Sequence, residues 1–243
     1  MERGDSIMLR SKEEIKQEKK QKWIMNVQNA ITSLLLIVCS QSLIFAHTHH
    51  WPFIAIIGLI VLTITSIGIT AYFIYKQDAI NFRKRQYFLM DIRPTFQKGI
   101  NLFNLFLSMS ICLLTNAIVF YLFPVTEAAY NVQEISKAFS TTLSPIANNL
   151  LYIFIYAALI PIVEELIFRQ ILPMACPSRY TFFIVGLCFI LLHAPNSWQQ
   201  TLVLAVTTSL LIANRFRNGL FQSIVLHQGL NFIAMIELIQ SIH

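Results

Sequence analysis

Long apolar runs separated by short polar breaks set the pattern of this chain. They cover about residues 25–46, 52–75, 99–123, 147–172, 180–194, 199–214 and 219–241. A helix needs roughly 20 predominantly apolar residues to cross the hydrocarbon core of a bilayer, and the longer runs reach that length. No segment alternates apolar and polar residues in the way a membrane-spanning β-strand does. The pattern therefore predicts an all-α fold, a polytopic transmembrane helix bundle of about seven spans. Polar content divides it. The first three runs carry little beyond Ser, Thr and Asn, while the last four hold Glu164, Glu165, Arg169, His193, His227 and Asn231. The expected organisation is a charged tail over 1–23, three anchoring helices over 24–123, an extracytoplasmic loop over 124–146, and a four-helix core over 147–243 that carries the chemistry.

Composition agrees with membrane insertion. Hydrophobic residues make up 56% of the 243 and charged residues only 12%, about half the share of a soluble domain. The net charge of +6 could point to nucleic acid, but it leaves no basic face with interleaved aromatics. If the spans alternate, all of the 18 Lys and Arg except Lys137 fall on one side. Basic loops stay cytosolic, so the N-terminus is expected in the cytosol and the chain in the cell membrane, multi-pass, with the bilayer as its main partner. The tail mixes Glu with Lys and no small-residue cleavage site follows the first run, which favours a retained anchor over a cleaved signal peptide. Cys39, Cys112, Cys176 and Cys188 form neither a CxxC pair nor a disulfide framework, and buried, inert thiols are expected.

Helical spacing sorts the polar residues of the core. Glu165 and Arg169 are i and i+4, on one face and in the better order for an ion pair. Glu164 is turned about 100° away on the same turn. His193 ends the run FILLH, four residues after Phe189. His227 and Asn231 are again i and i+4, so one face presents an imidazole and a carboxamide. A charged group at bilayer depth costs on the order of 2.5 kcal/mol or more, and buried polar groups there need partners inside the bundle. Ion-pair locking of helices and interhelical hydrogen-bond glue are the plain structural readings. Complementary groups on three helices favour a hydrolytic site instead. Peptide hydrolysis needs an activated water, a proton for the leaving amine and donors for the oxyanion. Glu164 can take the proton from water, His193 can orient that water or protonate the amine, and His227 with Asn231 can donate to the oxyanion. Glu164, His193 and His227 could also hold a divalent metal such as zinc, although the compact HExxH of soluble metalloproteases is absent.

Weaker features stand apart from this set. His47, His49 and His50 lie in the first outer loop and read as an interfacial cluster. Glu237 lies near the outer end of the last span, suited to solvent contact. Val132, Ile135 and Phe139 share helical spacing, as in an amphipathic surface helix.

EELIFR (164–169), FILLH (189–193) and HQGLN (227–231) resemble, in order, the EExxxR, FxxxH and HxxxN motifs of the CPBP group of CAAX-protease and bacteriocin-processing enzymes, also called the Abi family. The stretch RNGLFQSIVLHQGLN resembles the usual approach to the third motif, and the likeness covers about residues 145–235. The resemblance implies an intramembrane endopeptidase whose active site opens toward the cytosol. It implies Glu164 as the water-activating base, His193 assisting, His227 and Asn231 as the oxyanion pair, and Glu165 with Arg169 in support. The family carries the label of intramembrane metalloprotease, and a glutamate-centred mechanism without metal has also been argued, so both stay open. The implied partner is a peptide or protein substrate at the membrane, trimmed after prenylation in eukaryotic members and tied to bacteriocin self-immunity, peptide maturation or signalling in small bacterial ones. A non-catalytic membrane immunity or binding protein is the main alternative, and a small transporter with Glu164 as proton relay a third. Two points strain the picture. From the cytosolic ends of their spans Glu164 and His227 lie about 12 Å deep but His193 nearer 20 Å, so the fifth span must tilt or begin lower. Family members also often have eight spans.

Overall fold

The computed structural model describes residues 12–49, 52–83, 100–123, 150–175 and 180–242. They form seven helical segments with no strand among the described residues. These are α1 (Lys12–Thr48), α2 (Phe53–Arg83), α3 (Leu102–Leu122), α4 (150–175), α5 (Thr181–Leu192), α6 (Trp198–Asn218) and α7 (Leu220–Ile242). Four stretches are long and apolar enough to cross a membrane: Lys19–His47, Phe53–Ile74, Leu102–Leu122 and Leu150–Met174. The other three fall short for different reasons. With 12 residues, α5 is only about 18 Å long, well under the ~30 Å of a bilayer core. Polar side chains that serve the interior interrupt α6 and α7. The chain is a multi-pass membrane protein built as an all-α bundle.

The bundle is organised around α4, whose apolar window is 61% buried against 17–44% for the other three candidate spans. It packs against α1, α5 and α7, while α2 lies on α1, and α3 lies on α6 and α7. One side of α4 joins Leu43, Ile56, Tyr152, Ile155 and Met235 in a core cluster. The other meets Leu36, Ile74, Val163, Ile167, Leu220 and Ile224. Polar contacts fix the remaining helices in place. Asn101 caps α3 by accepting from Asn104 N at 3.0 Å, and its own N–H donates to Gln222 Oε1 of α7 at 2.7 Å. The Asn214 amide of α6 donates to Ser108 Oγ of α3 at 2.7 Å and accepts from Gln222 Nε2 at 2.8 Å. Three helices thereby share one hydrogen-bonded knot, as expected where no water competes. Gly219, at φ 97°, breaks the chain between α6 and α7, a conformation open to glycine without steric cost.

α4 is not a uniform α-helix. Ile153–Leu159 and Leu166–Ile171 are π-helical, with Ile160–Glu165 in α register between them and Leu172–Ala175 after. Pro161 gives a physical reason for the first stretch. Ile160 N donates five residues back to Ile155 O, and the next residue, being proline, has no N–H to give.

Several expectations need adjustment. Cys39 and Cys112 are buried, but Cys188 is exposed, because it lies on the side of α5 turned away from its packing partners. Of the three outer histidines, the two described ones have different surroundings. His47 is buried against Tyr152 and Tyr156, while His49 stacks on Phe45. Glu237 is exposed, as expected. Residues 1–11 of the tail, His50, the loop 124–146 with Val132, Ile135 and Phe139, and Cys176 lie outside the described residues.

Candidate intramembrane active site

Glu164 and Glu165 occupy the end of the α-register stretch of α4, just before the second π stretch begins. Facing them is α7, where Ser223, His227, Gln228 and Asn231 form one stripe at spacings of four, five and eight residues, the near face of a helix. All four bond to α4. His227 sits between the two carboxylates, with Nδ1 3.1 Å from Glu165 Oε1 and Nε2 3.5 Å from Glu164 Oε2. Ser223 Oγ donates to Glu165 Oε2 at 2.5 Å. Gln228 Nε2 donates to Ala158 O at 2.9 Å, and Asn231 Nδ2 to Tyr156 O at 3.1 Å. The last bond answers to Pro161: continuing the π register, its absent N–H would have served Tyr156 O, and the Asn231 amide fills that need.

Arg169 is 1% exposed. Its Nε lies 3.9 Å from Glu165 Oε2, and none of its three guanidinium nitrogens has a hydrogen-bond partner among the described residues. The guanidinium instead lies over the Phe189 ring, 4.4 Å from its centroid, a cation–π contact strengthened by desolvation. The expected ion pair is therefore present but loose. Spacing of i and i+4 assumes α geometry, and these four residues run into a π stretch, where i+5 is the hydrogen-bonded neighbour.

Phe189 is the hub of α5. Its ring also meets Phe168, His193 and His227, at centroid distances of 5.3, 4.4 and 5.9 Å. His193 caps α5, with Nδ1 2.8 Å from Phe189 O. A carbonyl only accepts, so Nδ1 carries the proton and Nε2 of the neutral ring is an acceptor. Ala194 follows at φ 44°, a left-handed turn that is costly for a residue with a Cβ and directs the chain away just past the imidazole. Among the described residues no hydrogen bond or ion pair joins His193 to Glu164 or His227.

The structure thus brings Glu164, Glu165, Arg169 and His227 into one constellation, with Asn231 one turn along and His193 against the same Phe189 ring that His227 meets. Exposure separates the two glutamates: Glu164 keeps 24% of its side chain open and Glu165 none. His227 is shared between Glu164 and Glu165. Ser223 escaped the sequence reading. Its position four residues before His227 was the available signal, weak because serine is ordinary in membrane helices. No group of three or more His, Cys, Asp or Glu among the described residues is placed to hold an ion. His227 has a carboxylate at each nitrogen.

No curated protein and no solved structure matches this chain. A family model does match, at residues 146–233, described as type II CAAX prenyl endopeptidase Rce1-like. The matched stretch is under half of the chain, but it contains every site residue named above from Tyr156 to Asn231. The chain therefore carries an Rce1-like domain, matching the CPBP family of CAAX proteases.

Proposed function

We propose that this protein is an intramembrane endopeptidase that hydrolyses a peptide bond in a membrane-proximal peptide or protein, with Glu164 as the base. The observation that carries this reading is the His227 imidazole set between the Glu164 and Glu165 carboxylates within an Rce1-like domain. Glu164 is the open member of the pair, so water and substrate reach it, while Glu165 is sealed behind. Glu164 takes a proton from water as the oxygen adds to the scissile carbonyl carbon. His193 Nε2 accepts the second hydrogen of that water and so aims its lone pair. The oxyanion that forms accepts from the N–H of Asn231 not used by Tyr156 O and from His227 Nε2 when it carries a proton. Collapse of the intermediate breaks the C–N bond, and Glu164 returns its proton to the departing amine.

Because the matched family is described by CAAX prenyl endopeptidases, a fluorogenic prenylated CAAX peptide in micelles is the first probe. Wild type is expected to cleave it, and Glu164→Gln to lose about 10²–10⁴-fold in turnover, the usual contribution of a general base. Equal turnover in Glu164→Gln overturns the reading, and retained biological activity without cleavage would favour a non-catalytic binding or immunity role. Dialysis against a strong chelator is expected to leave turnover intact. The cellular role proposed with this activity is bacteriocin self-immunity or peptide maturation, which a double-glycine peptide encoded beside the gene would support.

A further inference from the structure

We infer that Ser223 is a positioning residue of this site, which keeps the Glu165 carboxylate on His227 and off Arg169. The inference rests on the constellation described under the proposed function and assigns a role to a residue outside its motifs. Ser223 is fully buried on α7, one turn before His227, so two donors on one helix face grip one carboxylate. The hydroxyl holds Oε2 at 2.5 Å and the imidazole Nδ1 meets Oε1 at 3.1 Å. Two donors on separate oxygens stop the carboxylate from rotating. Arg169 Nε faces the same oxygen that Ser223 holds, at 3.9 Å, too far for a hydrogen bond. A guanidinium with no bonded acceptor among the described residues is a strong competitor for that oxygen, since charge-assisted Arg–carboxylate bonds are the stronger ones. Without the hydroxyl, Glu165 turns toward Arg169, Oε1 leaves His227, and Nδ1 loses the acceptor that fixes its proton. The ring nitrogen that faces Glu164 is then no longer held as one species. Orienting partners of this kind set which imidazole nitrogen is protonated.

A purely structural role is the competing account, because Ser223 Oγ also lies 3.0 Å from Leu211 O of α6. One hydroxyl proton serves one acceptor fully, and an ionised carboxylate outcompetes a carbonyl already in a helix ladder. A helix tie of that sort would show in stability alone.

The test uses the full chain in micelles, labelled with ¹⁵N-histidine, the His227 signals being identified by their loss in His227→Asn. Wild type is expected to show Nδ1 of His227 protonated, and Ser223→Ala a mixture of ring forms. Ser223→Ala is also expected to lower kcat on the order of tenfold, as for a lost bond to a charged group, with KM unchanged. Ser223→Thr, which keeps the hydroxyl, should restore both readouts. In a Glu165→Gln background Ser223→Ala should add no further loss. A His227 spectrum unchanged by Ser223→Ala, or an effect confined to thermal stability, overturns the inference. The ring spectrum does not depend on proteolysis, so if Glu164→Gln cleaves normally the enzymatic reading falls while Ser223 is still judged by the spectrum.

Discussion

Glu165 accepts hydrogen bonds from Ser223 and His227, whereas the guanidinium of Arg169 has only the carboxylate at 3.9 Å and the face of Phe189. The two members of this pair depend on each other unequally. Glu165→Ala strands a buried cation, a change that typically costs 3–5 kcal/mol. Arg169→Met leaves Glu165 with both of its donors and puts a polarisable thioether on the Phe189 ring, so a loss of about 1–3 kcal/mol is expected. Thermal unfolding in micelles checks the order. A lower melting point for Arg169→Met than for Glu165→Ala would mean that the guanidinium, not the carboxylate, anchors the site. The sequence exposed this chemistry because ionisable residues stand out in apolar helices: Glu164, Glu165, Arg169 and His227 were legible and do converge. It could not show that His227 is shared by both glutamates, since that depends on the local register of α4. Ser223 carried no such contrast.

At the scale of elements, the register of α4 decides how its carboxylates meet α7. Pro161 withholds a donor, Tyr156 and Ala158 offer their carbonyls to Asn231 and Gln228, and the α7 stripe is held along the whole of the site. Pro161→Ala supplies the missing N–H and removes a residue that costs about 3 kcal/mol in a helix interior. The expected outcome is a higher melting point together with turnover at least tenfold lower, because restored α register rotates Glu164 and Glu165 relative to His227. Unchanged turnover on the prenylated peptide would separate the π stretch from the site. Proline was visible in the sequence, but the π register was not. Periodicity reveals a helical repeat only where polar and apolar faces differ, and α4 is apolar nearly all round. The depth mismatch of His193 arose from reading 180–194 as a full span. The helix is 12 residues long, His193 is its cap, and the rings of His193 and His227 both lie against Phe189.

For the whole molecule, the arrangement of charge predicts orientation, and the buried arginines change how that argument is made. Arg169 and Arg215 count among the basic residues of one side, yet they are 1% and 4% exposed. Arg215 Nε donates to Arg169 O at 3.3 Å, and its Nη2 donates to Gln170 Oε1. They belong to the interior and drop out of the count of loop charges. The orientation then rests chiefly on the basic residues of the first 23 and of 76–98, the segments in which α1 begins and α2 ends. With 37 residues, α1 is about 56 Å long, nearly twice a bilayer core. Its early turns, where Lys16, Lys19 and Lys20 are exposed, must therefore project past the hydrocarbon. Trp23, 66% exposed, falls where interfacial aromatics gather. If basic segments stay cytosolic, a tag at the N-terminus is expected to resist protease added to intact cells, and a tag placed within 124–146 to be cut. Cleavage of the N-terminal tag with protection of the loop would invert the molecule, and would place the α4 end that bears Glu164 toward the outside rather than the cytosol.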